Sequence, residues 1–297
     1  MSAVAPENGL VTARDNLAFY QSLGRQTIES ESCWWYNAYG QRTFYFAFPP
    51  QRLITPQPAE IGRIFAQLPA LSALRYLSPA GNGQSNSYRW IRRAPYSIDS
   101  LSANSRSKIR RGLRHCTIRP VSFEELAAQG QLAQHDTMLR QGKPARDYDA
   151  GQLAQPGLSY AAWGAWIDDD LAAFVITQQI DDWVHIQVNR SVNRHLRHYP
   201  NNALIYEVTS RLLGTPGITT VSYGWESLTP LESLDQFKLS MGFEQEAACQ
   251  VILLSPWLRW VWNPVTRALG RLAGQALPTN RIVKQILGLS RFIRTLV

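Results

Sequence analysis

The chain has 297 residues, of which 45% are hydrophobic and 11% aromatic, enough to build a core and to exclude a disordered protein. The formal net charge of +8 is unevenly spread: no Asp or Glu follows Glu246, and seven basic residues lie beyond Ser255, leaving 23 basic against 22 acidic before it. A body so nearly neutral excludes a general DNA-binding surface.

Three cysteines, Cys33, Cys116 and Cys249, form no CxxC pair, which excludes a disulfide framework and a zinc site and points to a reducing compartment. No basic, then apolar leader opens the chain, and no apolar run reaches the ~18–20 residues of a membrane span. A cytoplasmic protein is expected.

In chain order, 33–40 and 42–50 are aromatic-rich and predict a hairpin. Residues 59–68 place Ile61, Ile64, Phe65 and Leu68 at helical spacing. "ALRYLSP" and "SYRWIRRA" predict strands around a turn-rich loop at 80–86. The basic stretch "SRSKIRRGLRHCTIRPV" (105–121) predicts a helix capped by Ser105 or Ser107, with Ile109, Leu113 and Cys116 on one face, then a short strand. Its cations fall on the other faces, where they are solvated or draw in an anionic ligand.

One helix is predicted over 122–139 and an irregular loop over 140–157. Segments 159–167, 171–180 and 183–189 predict an antiparallel meander turned by "DDD" and "DD". A helix over 203–213, a strand over 218–224, a helix over 229–243 and a strand over 246–255 follow. Thr229, Pro230 and Glu232 carry a capping-box pattern, and Gly242 suits the C′ position. The layout is α+β, or mixed α/β, around a sheet. A phosphate is expected at the N-terminus of the 203–213 helix, where free N–H groups collect.

Four stretches resemble the Fem-like branch of the GNAT acyltransferase superfamily. They are "YSIDSLSANSRSKIRRGLRHCTIRPV", the meander ending in "WVHIQVN", "YPNNALIYEVTSRLL", and "LESLDQFKLSMGF" with its Phe-Lys-x-x-x-Gly-Phe ending. The likeness covers about 96–254, with 33–95 similar to a reduced first lobe. It implies a first lobe over 1–95, a catalytic lobe over 96–255 and a basic tail over 256–297. The family's glycine-bearing acyl-CoA loop is replaced here by "RHLRHYPNN".

The resemblance implies transfer of an acyl group from acetyl-CoA or another acyl-CoA to an amine of a small-molecule or envelope-precursor acceptor. An aminoacyl-tRNA donor is the rival, less favoured because no long helical arm is evident, and a non-catalytic, membrane-attached scaffold is the other. Backbone N–H groups of Ile186, Val188 and Asn189 would polarise the carbonyl. Arg194, Arg197, Asn201 and Asn202 would meet the donor phosphates. Glu226 is the candidate general base, Tyr223 the acid, His185 a further candidate on the central strand, and Lys238 a donor to a phosphate or carbonyl oxygen. No metal is expected, since His195 and His198 lack acidic neighbours in sequence.

The tail predicts two amphipathic helices. One has a stripe through Leu258, Val261, Trp262, Val265, Leu269 and Leu272; the other runs through Ile282, Ile286, Leu289, Ile293 and Leu296. Cations oppose both stripes, a composition that suits an anionic membrane face as well as packing on the domain.

Overall fold

A computed structural model describes residues 10–37, 43–81, 84–144, 159–228, 232–262 and 287–294. The chain opens with α1 (Ala13–Ser22), β1 (Thr27–Glu29), β2 (Trp34–Tyr36), β3 (Phe44–Phe48), α2 (Pro58–Ala66), β4 (Ala73–Ser78) and β5 (Ser87–Arg93). Next come α3 (Ala103–His115), β6 (Thr117–Val121), α4 (Phe123–Gln129), α5 (Gln131–Arg140), β7 (Tyr160–Ile167), β8 (Asp170–Ile180) and β9 (Trp183–Ser191). It ends with α6 (Pro200–Leu213), β10 (Thr220–Trp225), α7 (Glu232–Ser240), β11 (Glu244–Leu254), α8 (Pro256–Val261) and β12 (Ile293–Arg294). This is the mixed α/β layout expected.

Two compact units form, and neither is continuous in sequence. One holds Met1–Asn16, Trp90–Gly224 and Ser233–Glu244; the other holds Leu17–Arg89, Trp225–Glu232 and Gln245–Val297. The sequence had suggested three consecutive stretches instead.

In the second unit β2 pairs antiparallel with β1 and β3, β3 runs parallel to β4, and β4 pairs antiparallel with β11. The predicted hairpin is therefore present. Period-two alternation sends Trp35, Tyr45 and Leu74 to one core, where the Ile61 and Ile64 face of α2 meets them. The tail helix expected over 282–296 is not continuous. Ile293–Arg294 is extended and pairs parallel with β11, because fully buried Phe292 anchors the chain against Ala73, Ile252 and Leu254. Residues 263–286 and Thr229–Leu231, including the start of the capping box, lie outside the described residues.

The first unit is built on the meander β6–β7–β8–β9, antiparallel throughout, with β10 added parallel to β9. Asp168 and Asp181 take the left-handed conformation (φ 52° and 55°) in the turns, where a short polar side chain tolerates it. The helix expected over 122–139 is two helices. Gly130 divides them, since a Cβ there would stand 2.6 Å from Leu126 O. Ser102, not Ser105 or Ser107, caps α3, its hydroxyl accepting from Ser105 N at 3.2 Å.

The basic helix α3 packs on α6 by its one glycine. A Cβ on Gly112 would lie 2.7 Å from Tyr199 O and 2.8 Å from Ala203 Cβ. Ile109 and Cys116 are buried on this side, while Leu113 is 37% exposed, so the apolar face is narrower than the spacing implied. Most of the cations face solvent.

Gly112→Val should therefore force the helices apart and cost ~2 kcal/mol of unfolding free energy, measured by chemical denaturation with an unchanged m-value.

Candidate functional site

The candidate site lies where β9 loses its pairing with β10 while keeping that with β8. Across β8, Thr177 faces Ile186 but Ile176 faces Val188, so Gln187 is an extra residue and β9 bulges. Across β10, ladder pairs join Thr220 to Trp183, Val221 to Val184 and Ser222 to His185. Beyond Ser222 a side chain makes the link instead: Asn189 Nδ2 donates to Tyr223 Oη at 2.7 Å. The Asn189 Oδ1 atom is buried without a hydrogen-bond partner, a polar group that burial leaves costly.

Tyr223 packs edge-on against Phe243, with ring centroids 5.3 Å apart. Lys238, on α7, places Nζ 5.5 Å from the Tyr223 ring centre and 5.1 Å from that of Trp90. Its one carboxylate neighbour there is Asp235 Oδ1 at 3.3 Å. Lys238 is only 4% exposed. Burial pulls its pKa below the ordinary lysine value, with Asp235 opposing. Burial pushes the Tyr223 phenol up, with the Asn189 bond opposing. The phenol thus stays protonated and has its O–H hydrogen to give, because Asn189 uses only the oxygen's lone pair.

The structure thus gathers three sequence candidates, Asn189, Tyr223 and Lys238. Ile186 and Val188, named for their backbone N–H groups, flank the Gln187 bulge on β9, the first side chain buried and the second half-buried against the meander core. The remaining candidates have other neighbours. His185 is 5% exposed, its ring 6.1 Å from that of Trp183. Glu226 belongs to the other unit, where its carboxylate meets Arg291 at 3.3 Å and its N–H donates to Tyr88 O. Arg194 pairs with Asp170 at 2.8 Å, and Arg197 donates to His198 Nε2 at 3.0 Å, so neither reaches toward the α6 tip through these bonds.

That tip is also altered from expectation. The helix begins at Pro200, not 203, after Tyr199 in the left-handed conformation (φ 57°). Pro200 has no N–H, and Asn202 N–H bonds Tyr199 O at 3.1 Å. Two of the first three positions thus offer no N–H to a phosphate. Asn201 Nδ2 donates to Ser191 Oγ (3.0 Å), and Asn202 Nδ2 reaches Met241 Sδ (3.5 Å). Lys108 and Arg111 of α3 stand 5.9 Å and 5.5 Å from the Tyr199 ring centre, bringing positive charge to the same corner.

Sequence reasoning missed Trp90 and Asp235. Asp235 was legible in principle, since its i, i+3 spacing puts it beside Lys238 on one helix; nothing local marked Trp90. Among the described residues no group of three His, Cys, Asp or Glu side chains could hold a metal.

The fold is similar to that of several solved structures at low sequence identity. FemX matches at TM-score 0.56 with 11% identity, over 82% of this chain and 91% of its own. The C-terminal DUF2156 domain assigned to an Agrobacterium fabrum lysylphosphatidylglycerol synthetase matches at 0.53, with 10% identity over 91% and 93%. L-PGS from Bacillus licheniformis matches at 0.52, with 10% identity over 97% and 95%. At such identities the likeness is one of fold. No family model matches the sequence, and no curated protein matches it significantly.

Lys238→Met should report the burial. A lysine with a lowered folded pKa contributes its stability above the unfolded pKa and loses it as pH falls through the folded value. The variant should be more stable than the parent near neutrality, with the gap closing toward pH ~10.5, followed by melting temperature across that range.

Proposed function

We propose that the protein is an acyltransferase that moves an acyl group from an activated donor to an amine, with the reacting carbonyl held where β9 leaves β10. The observation that carries this reading is the bulge at Gln187 followed by the Asn189–Tyr223 bridge, in reach of Lys238. An acyl oxygen entering between the strands would replace the phenol as acceptor for Asn189 Nδ2. It would also lie beside the bulged backbone at Gln187.

The amine forms the new C–N bond and the donor's C–S or C–O bond breaks. The leaving atom takes the Tyr223 proton, and the phenolate is reprotonated by the amine as it becomes an amide. Lys238 adds positive charge toward the carbonyl or a donor phosphate. Glu226, expected as the base, is engaged by Arg291, and His185 is buried against Trp183; the proposal gives neither a step.

Acyl-CoA is the donor that the resemblance implies. A second reading, an aminoacyl ester on tRNA, is favoured by the α6 tip. With Pro200 first and Asn202 N–H bonded, the tip makes a poor pyrophosphate cradle, while Lys108 and Arg111 supply positive charge beside it. FemX and L-PGS are the neighbours of that fold.

Thiol release from acetyl-CoA across a panel of amines, run beside loss of labelled amino acid from charged tRNA, separates the two donors. Release from neither would overturn the reading. With whichever donor works, Tyr223→Phe should lower turnover by about a hundredfold with the melting temperature near that of the parent.

A further inference from the structure

The second unit carries a feature that acyl transfer does not use. α8 (Pro256–Val261) has two unlike sides. Leu258 and Trp262 pack into the core with Ala73, Ile252, Leu254 and Phe292. Trp257 and Trp260 stand 64% and 76% exposed, with Val261 at 48%. Three residues apart, the two indoles share a side of the helix.

A second segment adds to them. Ser255, the α8 cap, donates from its N–H to Ser72 O at 2.9 Å and from Oγ to Ala70 O at 2.5 Å. Between those anchors lies Leu71, 55% exposed. Four large apolar side chains are thus presented outward from two tethered segments, on a helix whose other side is fastened to a core. Isolated exposed apolar residues are ordinary; a group on anchored backbone that includes two tryptophans is a surface made to be covered.

Charge identifies what covers it. Arg259 stands between the two indoles, and from Ser255 to the C-terminus the chain has seven Lys and Arg and no Asp or Glu. Tryptophan favours the boundary of water and acyl chains, with its ring in the apolar layer and its N–H toward the headgroups. Cations beside such residues are attracted by anionic headgroups. Among the described residues no helix is long and apolar enough to cross a membrane, so this composition docks on a bilayer without spanning it.

We propose that Leu71, Trp257, Trp260 and Val261 form an insertion patch that docks the protein on an anionic lipid surface, with Arg259 on the same helix and the positive charge of the sequence beyond Ser255 favouring anionic headgroups.

Flotation of the full chain with vesicles of phosphatidylcholine alone, or of phosphatidylcholine with phosphatidylglycerol, tests this. The parent should float with the anionic vesicles, less with the neutral ones, and less again at high salt. The double variant Trp257→Ser/Trp260→Ser should lose about tenfold in partitioning while its circular dichroism is retained, since both side chains are exposed. Arg259→Glu, which keeps the indoles, should narrow the preference for anionic vesicles. A parent that stays unbound, or a double variant that floats like the parent, overturns the proposal. So does a lipid-free parent dimer that the double variant abolishes, which would assign the patch to a second copy of the chain. The readout needs no acyl transfer, so failure here and failure of the enzymatic reading are distinguishable.

Discussion

The first unit depends on one strand serving two neighbours of opposite direction. β9 must pair antiparallel with β8 along most of its length and parallel with β10 at its start. An extra residue at Gln187 shifts β9 in its ladder with β8, and the pairs with β10 end at His185 and Ser222. Backbone polar groups that leave a ladder need other partners. Where the ladder with β10 ends, a side-chain bond from Asn189 to Tyr223 spans the strands, and Asn189 Oδ1 is buried with no hydrogen-bond partner.

Around that irregularity the protein places a lysine where lysines seldom go. Lys238 lies between the faces of Trp90 and Tyr223, with Asp235 beside it. The ring quadrupoles and the carboxylate offset part of the desolvation cost, yet burial still dominates the pKa. A salt bridge on the surface would contribute about as much stability without that penalty. Keeping the amine inside is comprehensible if its charge is needed next to Tyr223, whose phenol burial holds protonated.

The second unit shows the contrast between covered and uncovered apolar surface. Phe292 is wholly buried and turns a stretch of helical periodicity into a short strand on β11. A few residues from that core, two indoles of α8 stay in water. One face of α8 packs on that core and the other is exposed.

Much was readable from residues alone. The meander, its Asp turns, the α2 stripe and the strand after Gly242 depend on local periodicity and turn chemistry, which a sequence states directly. The likeness to the Fem-like fold was legible for the same reason, in the order of elements and not in any single motif. Asn189, Tyr223 and Lys238 were candidates because they sit on recognisable segments. What sequence could not supply was which candidates meet. Glu226 lies three residues from Tyr223 yet faces Arg291 in the other unit, and Trp90 reaches Lys238 from a strand far away in the chain. Nor could it show Gly112 closing α3 on Tyr199, or Pro200 and Tyr199 reshaping the α6 tip. Local pattern is set by neighbours along the chain; a site is set by neighbours in space, and only the packed structure decides those.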